Sequence, residues 1–176
     1  MHRSLLATGL LFLALPLADT GAAGVDDAEA RRHTEKAGGF SFVPPENWTV
    51  RDFAGMKYKV VVGPARSAFA SNINVVDEVY KGTLDSYKKA NIEAMEARLE
   101  KFALKDQGEF KTTSGLKGAR LVTQSEQSGR LVRQTFYLFG NGEKKYVATC
   151  STAAAGGEEL DAEFEKAMKT FRFERP

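Results

Sequence analysis

Two histidines, His2 and His33, and one cysteine, Cys150, are all the imidazole and thiol chemistry in this chain of 176 residues. His2 stands in the N-terminal leader and His33 in a polar stretch ahead of the first strand pattern. A serine triad, a tetrahedral zinc site or an imidazole base inside the patterned region has no histidine to use. Cys150 ends the β-rich run Tyr146-Val147-Ala148-Thr149 and reads as a small, buried core residue. A lone cysteine forms no intrachain disulfide. Acidic residues are plentiful, so a hydrolase built on paired carboxylates stays open as one function class. None of them stands in the apolar setting that makes a general acid, and Asp77 and Glu78, at a strand end, read as solvated. No alternating-acid calcium loop, P-loop or dinucleotide fingerprint occurs. The expectation is therefore no catalytic residue, no metal ligand, no cofactor-binding residue and no enzyme.

Two arginines interrupt strand patterns. Arg120 and Arg133 sit among alternating residues, and Arg133 shares a face with Leu131 and Thr135. An arginine there pairs with an acid under a helix or lines a binding face, and the ion pair is the preferred reading. The net charge is +2, and Arg31-Arg32 and Lys144-Lys145 are only pairs. Phosphate binding needs several clustered cations, so nucleic acid is excluded as a partner.

These residues need a scaffold, and the chain supplies one after a leader. Met1-His2-Arg3 is basic, Ser4 to Ala18 is mostly apolar, and small residues follow from Thr20 to Gly24. That order describes a secretory signal peptide over residues 1–23, cut after Ala22 or Ala23. The apolar run is shorter than the ~20 residues of a membrane span, so no stable span is expected after cleavage. Residues 24–39, with Asp26, Asp27 and Glu29, read as a flexible lead-in. Residues 40–176 read as a single domain. Roughly 150 residues remain after cleavage, and a domain of that size buries about 70% of its unfolded surface, enough for a core without disulfides or metal.

Within the domain, strands are predicted at Phe40–Phe42, around Trp48 to Phe53, at Tyr58–Val62 ending at Gly63-Pro64, and at Ile73–Tyr80. A helix follows Thr83, with Leu84, Tyr87, Ile92, Met95, Leu99 and Phe102 on one face. A meander comes next, at residues 104–111, 119–127, 131–139 and 145–152, turning at Ser128-Gly129 and Gly140-Asn141-Gly142. A second helix spans about 158–170, and Phe171-Arg172-Phe173 closes the chain as a short strand. Strands in hairpins with two amphipathic helices imply an α+β fold, a central antiparallel sheet flanked by helices.

The order of several segments resembles the PsbP-like domain of the Mog1/PsbP/DcrB superfamily. They are Phe40-Ser41-Phe42-Val43-Pro44-Pro45-Glu46-Asn47-Trp48, Asn72-Ile73-Asn74-Val75-Val76, Leu84-Asp85-Ser86-Tyr87 and Thr112 to Arg120, then Arg133 to Tyr137, Tyr146 to Cys150 and Phe171 to Phe173. The resemblance implies an α/β/α sandwich and an exported, non-catalytic binding or scaffold protein of the cell envelope, periplasmic or secreted, with a protein partner. It leaves two alternatives: a photosystem II extrinsic subunit of the thylakoid lumen with a calcium-linked role, and a secretion-associated chaperone. Calcium enters only through that family analogy. The leader generates a first prediction. N-terminal sequencing of the protein from its native envelope fraction should begin at residue 23 or 24, and an intact Met1 in the cytoplasm would refute export.

Overall fold

Two tight turns set the register of the main sheet. Ser128 and Gly129 both have positive φ, 48° and 74°, which matches the twist of a two-residue hairpin. They join β7 (Lys117–Gln127) to β8 (Arg130–Asn141) with Gln127 opposite Arg130. Gly142 and Glu143 then join β8 to β9 (Lys144–Ala153), with Asn141 opposite Lys144. The turn therefore lies one position later than the Asn-Gly signal suggests, at Gly142 with φ 60°. Around this meander β3 (Thr49–Arg51), β4 (Val60–Arg66), β5 (Phe69–Val79) and β6 (Glu100–Lys111) complete seven antiparallel strands in the order β3-β4-β5-β9-β8-β7-β6. The computed structural model describes residues 28–66 and 69–174. The leader, its cleavage site and Asp26-Asp27 lie outside the described residues.

Strand alternation gives the sheet two apolar faces, and each has a helix. Helix α1 (Leu84–Arg98) is capped by Thr83, whose side chain accepts from the Ser86 N–H at 3.1 Å. Its Tyr87 and Met95 pack with Leu121, Phe136, Leu138 and Val147. The other face carries Ile73, Tyr137, Phe139, Ala148 and Cys150, covered by Leu160, Phe164, Ala167, Met168 and Phe171. Most of these come from a 3₁₀ turn, Gly157–Leu160, and from α2 (Asp161–Lys169). The outcome is the expected α+β fold, an antiparallel sheet between helices. Cys150 is fully buried, unpaired, and its thiol pKa is pushed up by burial, as a core residue requires.

Three expectations shift. The first helix ends at Arg98, not Phe102, because the chain from Glu100 is claimed by pairing with β7. Leu99 and Phe102 keep their inward place in the same cluster, which is why a helical stripe seemed to continue. The second helix is shorter as well, its first turn being 3₁₀. The described part of the lead-in is docked, not flexible. Residues His33–Glu35 form β1, which pairs with β2 (Phe40–Phe42), and β10 (Arg172–Phe173) flanks β2 on its other side. Arg32 reinforces this sheet by donating to the Ser41 hydroxyl at 3.1 Å and to the Thr170 carbonyl at 3.0 Å. Thr170 is remote in sequence, whereas Ser41 lies on the neighbouring strand of a short antiparallel pair that closes through residues 36–39.

The packing under α1 has a measurable consequence. Met95 is 4% exposed and Glu96 faces solvent. Truncating a buried methionine typically costs about 2–5 kcal/mol. Surface changes stay within about 0.5 kcal/mol. Met95→Ala should thus lower the urea midpoint clearly, and Glu96→Ala should leave it unchanged.

Candidate functional site

Strand β4 does not stop at Gly63-Pro64 as the sequence suggests. It runs through them, with a register shift between Val62 and Ala65. A bulge accommodates a proline that has no N–H for the ladder. It also lays the Gly63 backbone against the Trp48 indole. A Cβ on Gly63 would sit 2.5 Å from the ring, so only glycine fits beneath it. Phe164 of α2 meets the indole edge-on at 5.7 Å and 83°. Asn47, just before Trp48, has φ 63°, a left-handed conformation that asparagine tolerates. The Trp48 N–H donates back to the Pro45 carbonyl at 3.3 Å. The turn is thereby closed and the ring is fixed between a strand and a helix.

Beside this ring lies a cleft of about 200 Å³ lined by Glu46, Asn47, Trp48, Pro64, Ser71, Leu160 and Glu163. Four separate parts of the chain meet there: the loop before β3, the β4 bulge, β5, and the start of α2. Glu46 faces Arg31 across 3.7 Å. Glu163 makes no ion pair or hydrogen bond among the described residues, and the Trp48 indole N–H has no acceptor among them. The Ser71 hydroxyl donates to Thr152 Oγ1 at 2.9 Å. The lining offers carboxylates, an amide and an indole, groups capable of charge, hydrogen-bond and ring contacts. From the sequence, Glu46 and Asn47 read as turn residues and Trp48 as the start of a strand, with no functional role for any of them. Glu163 carried no signal beyond its place on the wet side of a helix.

The residues singled out from the sequence lie elsewhere and take structural parts. Arg133 grips Asp161 at the start of α2, with Nη2 to Oδ2 at 2.6 Å and Nε to Oδ1 at 3.2 Å, and Glu158 lies 3.7 Å away. This is the expected ion pair under a helix, and the fork anchors α2 to β8. Arg120 links β7 to β6 through Asp106 at 2.7 Å and holds that carboxyl below its ordinary range. Asp77 corrects an expectation. Its side chain is 3% exposed, not solvated. It accepts from the Tyr58 hydroxyl at 2.8 Å and pairs with the Lys57 and Lys144 ammonium groups. Burial works to raise its pKa, but Lys57 and Tyr58 outweigh that and hold the carboxyl low. Glu78 accepts from the Tyr87 hydroxyl at 2.6 Å, which ties β5 to α1.

Comparison with solved structures places this architecture. Cyanobacterial PsbP (CyanoP) from Synechocystis matches with a TM-score of 0.59 at 16% identity, over 90% of this chain and 99% of that one. LpqN, involved in cell envelope biogenesis of Mycobacterium tuberculosis, matches with a TM-score of 0.59 at 12% identity, over 77% and 83% of the two chains. A Pseudomonas aeruginosa protein of unknown function matches at 0.58 and 16% identity, over 74% and 99%. No protein-family model and no curated protein sequence matches the chain. The chain therefore has a PsbP-like fold, as its segment order suggested. Among the described residues, no helix is long and apolar enough to cross a membrane.

His33, which the sequence placed in a plain linker, is instead largely enclosed in β1. Its Nε2 is buried without a hydrogen-bond partner and its ring meets Phe42 edge-on at 5.8 Å. Burial lowers its pKa and Lys59 adds to that, while Glu35, 3.9 Å away, opposes them. The folded histidine thus takes up a proton less readily than the unfolded one. Below the unfolded value of about 6.5, the unfolded chain binds more protons, so stability falls as pH falls. Wild-type protein should lose urea resistance as pH falls below about 6.5, and His33→Gln should flatten that part of the profile. Identical profiles for the two proteins would refute the assignment.

Proposed function

We propose that this chain is a non-catalytic, exported binding protein of the cell envelope that holds a protein partner at the Trp48 cleft. The observation that carries the reading is the cleft itself: an indole fixed by a glycine and a phenylalanine, beside a carboxylate, Glu163, with no partner of its own among the described residues. The indole packs partly on the core, so its place is fixed by folding, whereas a charge left unpaired beside it contributes little to stability. Both favour recognition, since tryptophan is enriched among residues that dominate binding energy. The apolar leader supports export, and the fold it shares with LpqN is compatible with an envelope role.

Affinity capture from the native envelope fraction tests this reading. The bait is the wild-type protein beside the double variant Glu46→Lys, Glu163→Lys. Both residues are exposed, so the variant should keep the wild-type circular dichroism spectrum and unfolding midpoint. The expected result is a partner retained by wild type and lost from the folded double variant. Equal capture by both proteins would overturn the assignment of the cleft.

A further inference from the structure

We infer that the Trp48 cleft is a subsite for one arginine side chain presented by the partner. The inference rests on the cleft being the partner-binding site and names the chemical group that it takes. Glu46 and Glu163 line one cleft from two different elements, the loop before β3 and α2, and Trp48 lines it too. Two carboxylates from separate elements in one cleft suit a planar cation with several N–H donors. A guanidinium forks to a carboxylate, whereas an ammonium is a compact and strongly hydrated point charge. The chain itself shows a guanidinium at this rim, because Arg31 Nη1 lies 3.7 Å from Glu46 Oε1. That internal contact offsets part of the Glu46 charge. Glu163 keeps its charge uncompensated among the described residues and is the primary acceptor. The Asn47 side chain borders the same cleft and offers an amide oxygen to a further guanidinium N–H. The volume, about 200 Å³, takes the end of one side chain and not a folded segment, so the rest of the partner lies outside it.

Trp48 is the only tryptophan in the chain, so its fluorescence reports on this site alone. The purified protein is titrated with three peptides capped at both ends, acetyl-Gly-Arg-Gly-amide and its Lys and Gln counterparts. A saturable change in Trp48 emission is expected with the Arg peptide, weaker with Lys and none with Gln. Glu163→Gln, a surface change that keeps the fold, should weaken the Arg peptide about tenfold, the effect of losing one charge-assisted hydrogen bond. No saturable change with the Arg peptide, an equal response to the Gln peptide, or an unaltered affinity in Glu163→Gln would overturn the subsite. The two claims fail separately. Envelope capture lost in the charge-reversed variant with no Arg response refutes the arginine subsite and leaves the partner reading standing. An Arg response with undiminished capture does the opposite.

Discussion

Phe171 sits between two other rings, stacked on Phe139 of the main sheet at 4.4 Å and on Phe40 of the small sheet at 5.5 Å. This column joins three parts of the fold that have no covalent reason to meet. Phe139 belongs to the meander, Phe40 to the strand after the lead-in, and Phe171 to the end of α2. Offset ring pairs of this kind contribute about 0.5–1.5 kcal/mol beyond the area they bury. Their larger effect is positional. With Phe171 held, α2 lies over Ile73, Tyr137 and Cys150, and β10 is delivered to the edge of β2. The lead-in segment around Glu29 and Arg32 is then held against the C-terminal residues by Arg32 and Arg172.

The cleft follows from the same arrangement. Once α2 is fixed, Phe164 presents its edge to Trp48, and Glu163, one residue earlier, faces outward beside it. The opposite wall depends on a defect in the sheet. A regular β4 would carry a side chain at position 63, and any side chain there would collide with the indole. The Gly63-Pro64 bulge removes that conflict and leaves a recess at the sheet edge, a place where bulges commonly redirect side chains.

Buried charge is managed by the same economy of partners. Arg133, Arg120 and Asp77 all occupy strand positions where an unpaired ion would be costly. Each meets an opposite charge from a neighbouring element: Asp161 for Arg133, Asp106 for Arg120, Lys57 and Lys144 for Asp77. These pairs explain why charges interrupt otherwise apolar strands without marking a reaction centre. Glu163 differs from them in having no such partner among the described residues.

The sequence by itself determined what periodicity and local turn chemistry encode. Alternation around Cys150 placed it in the core, the Ser-Gly pair at 128–129 located a hairpin, and the stripe from Leu84 to Met95 identified the helix that covers one face. The resemblance of ordered segments identified the PsbP-like fold. These features were legible because each is written in neighbouring residues. Other features were decided only when the chain closed on itself. Arg32 reaches the Thr170 carbonyl, and Arg172 pairs beside Ser41 on β2, because the end of α2 is brought to the small sheet. Asp77 is enclosed because Tyr58 and two lysines, from separate parts of the chain, converge on it. Glu46 and Glu163 share a cleft because a loop, a bulge and a helix meet there. Periodicity reports which way a side chain faces along its own element. It carries no record of which distant element lies opposite, and that pairing is set by how the apolar faces pack.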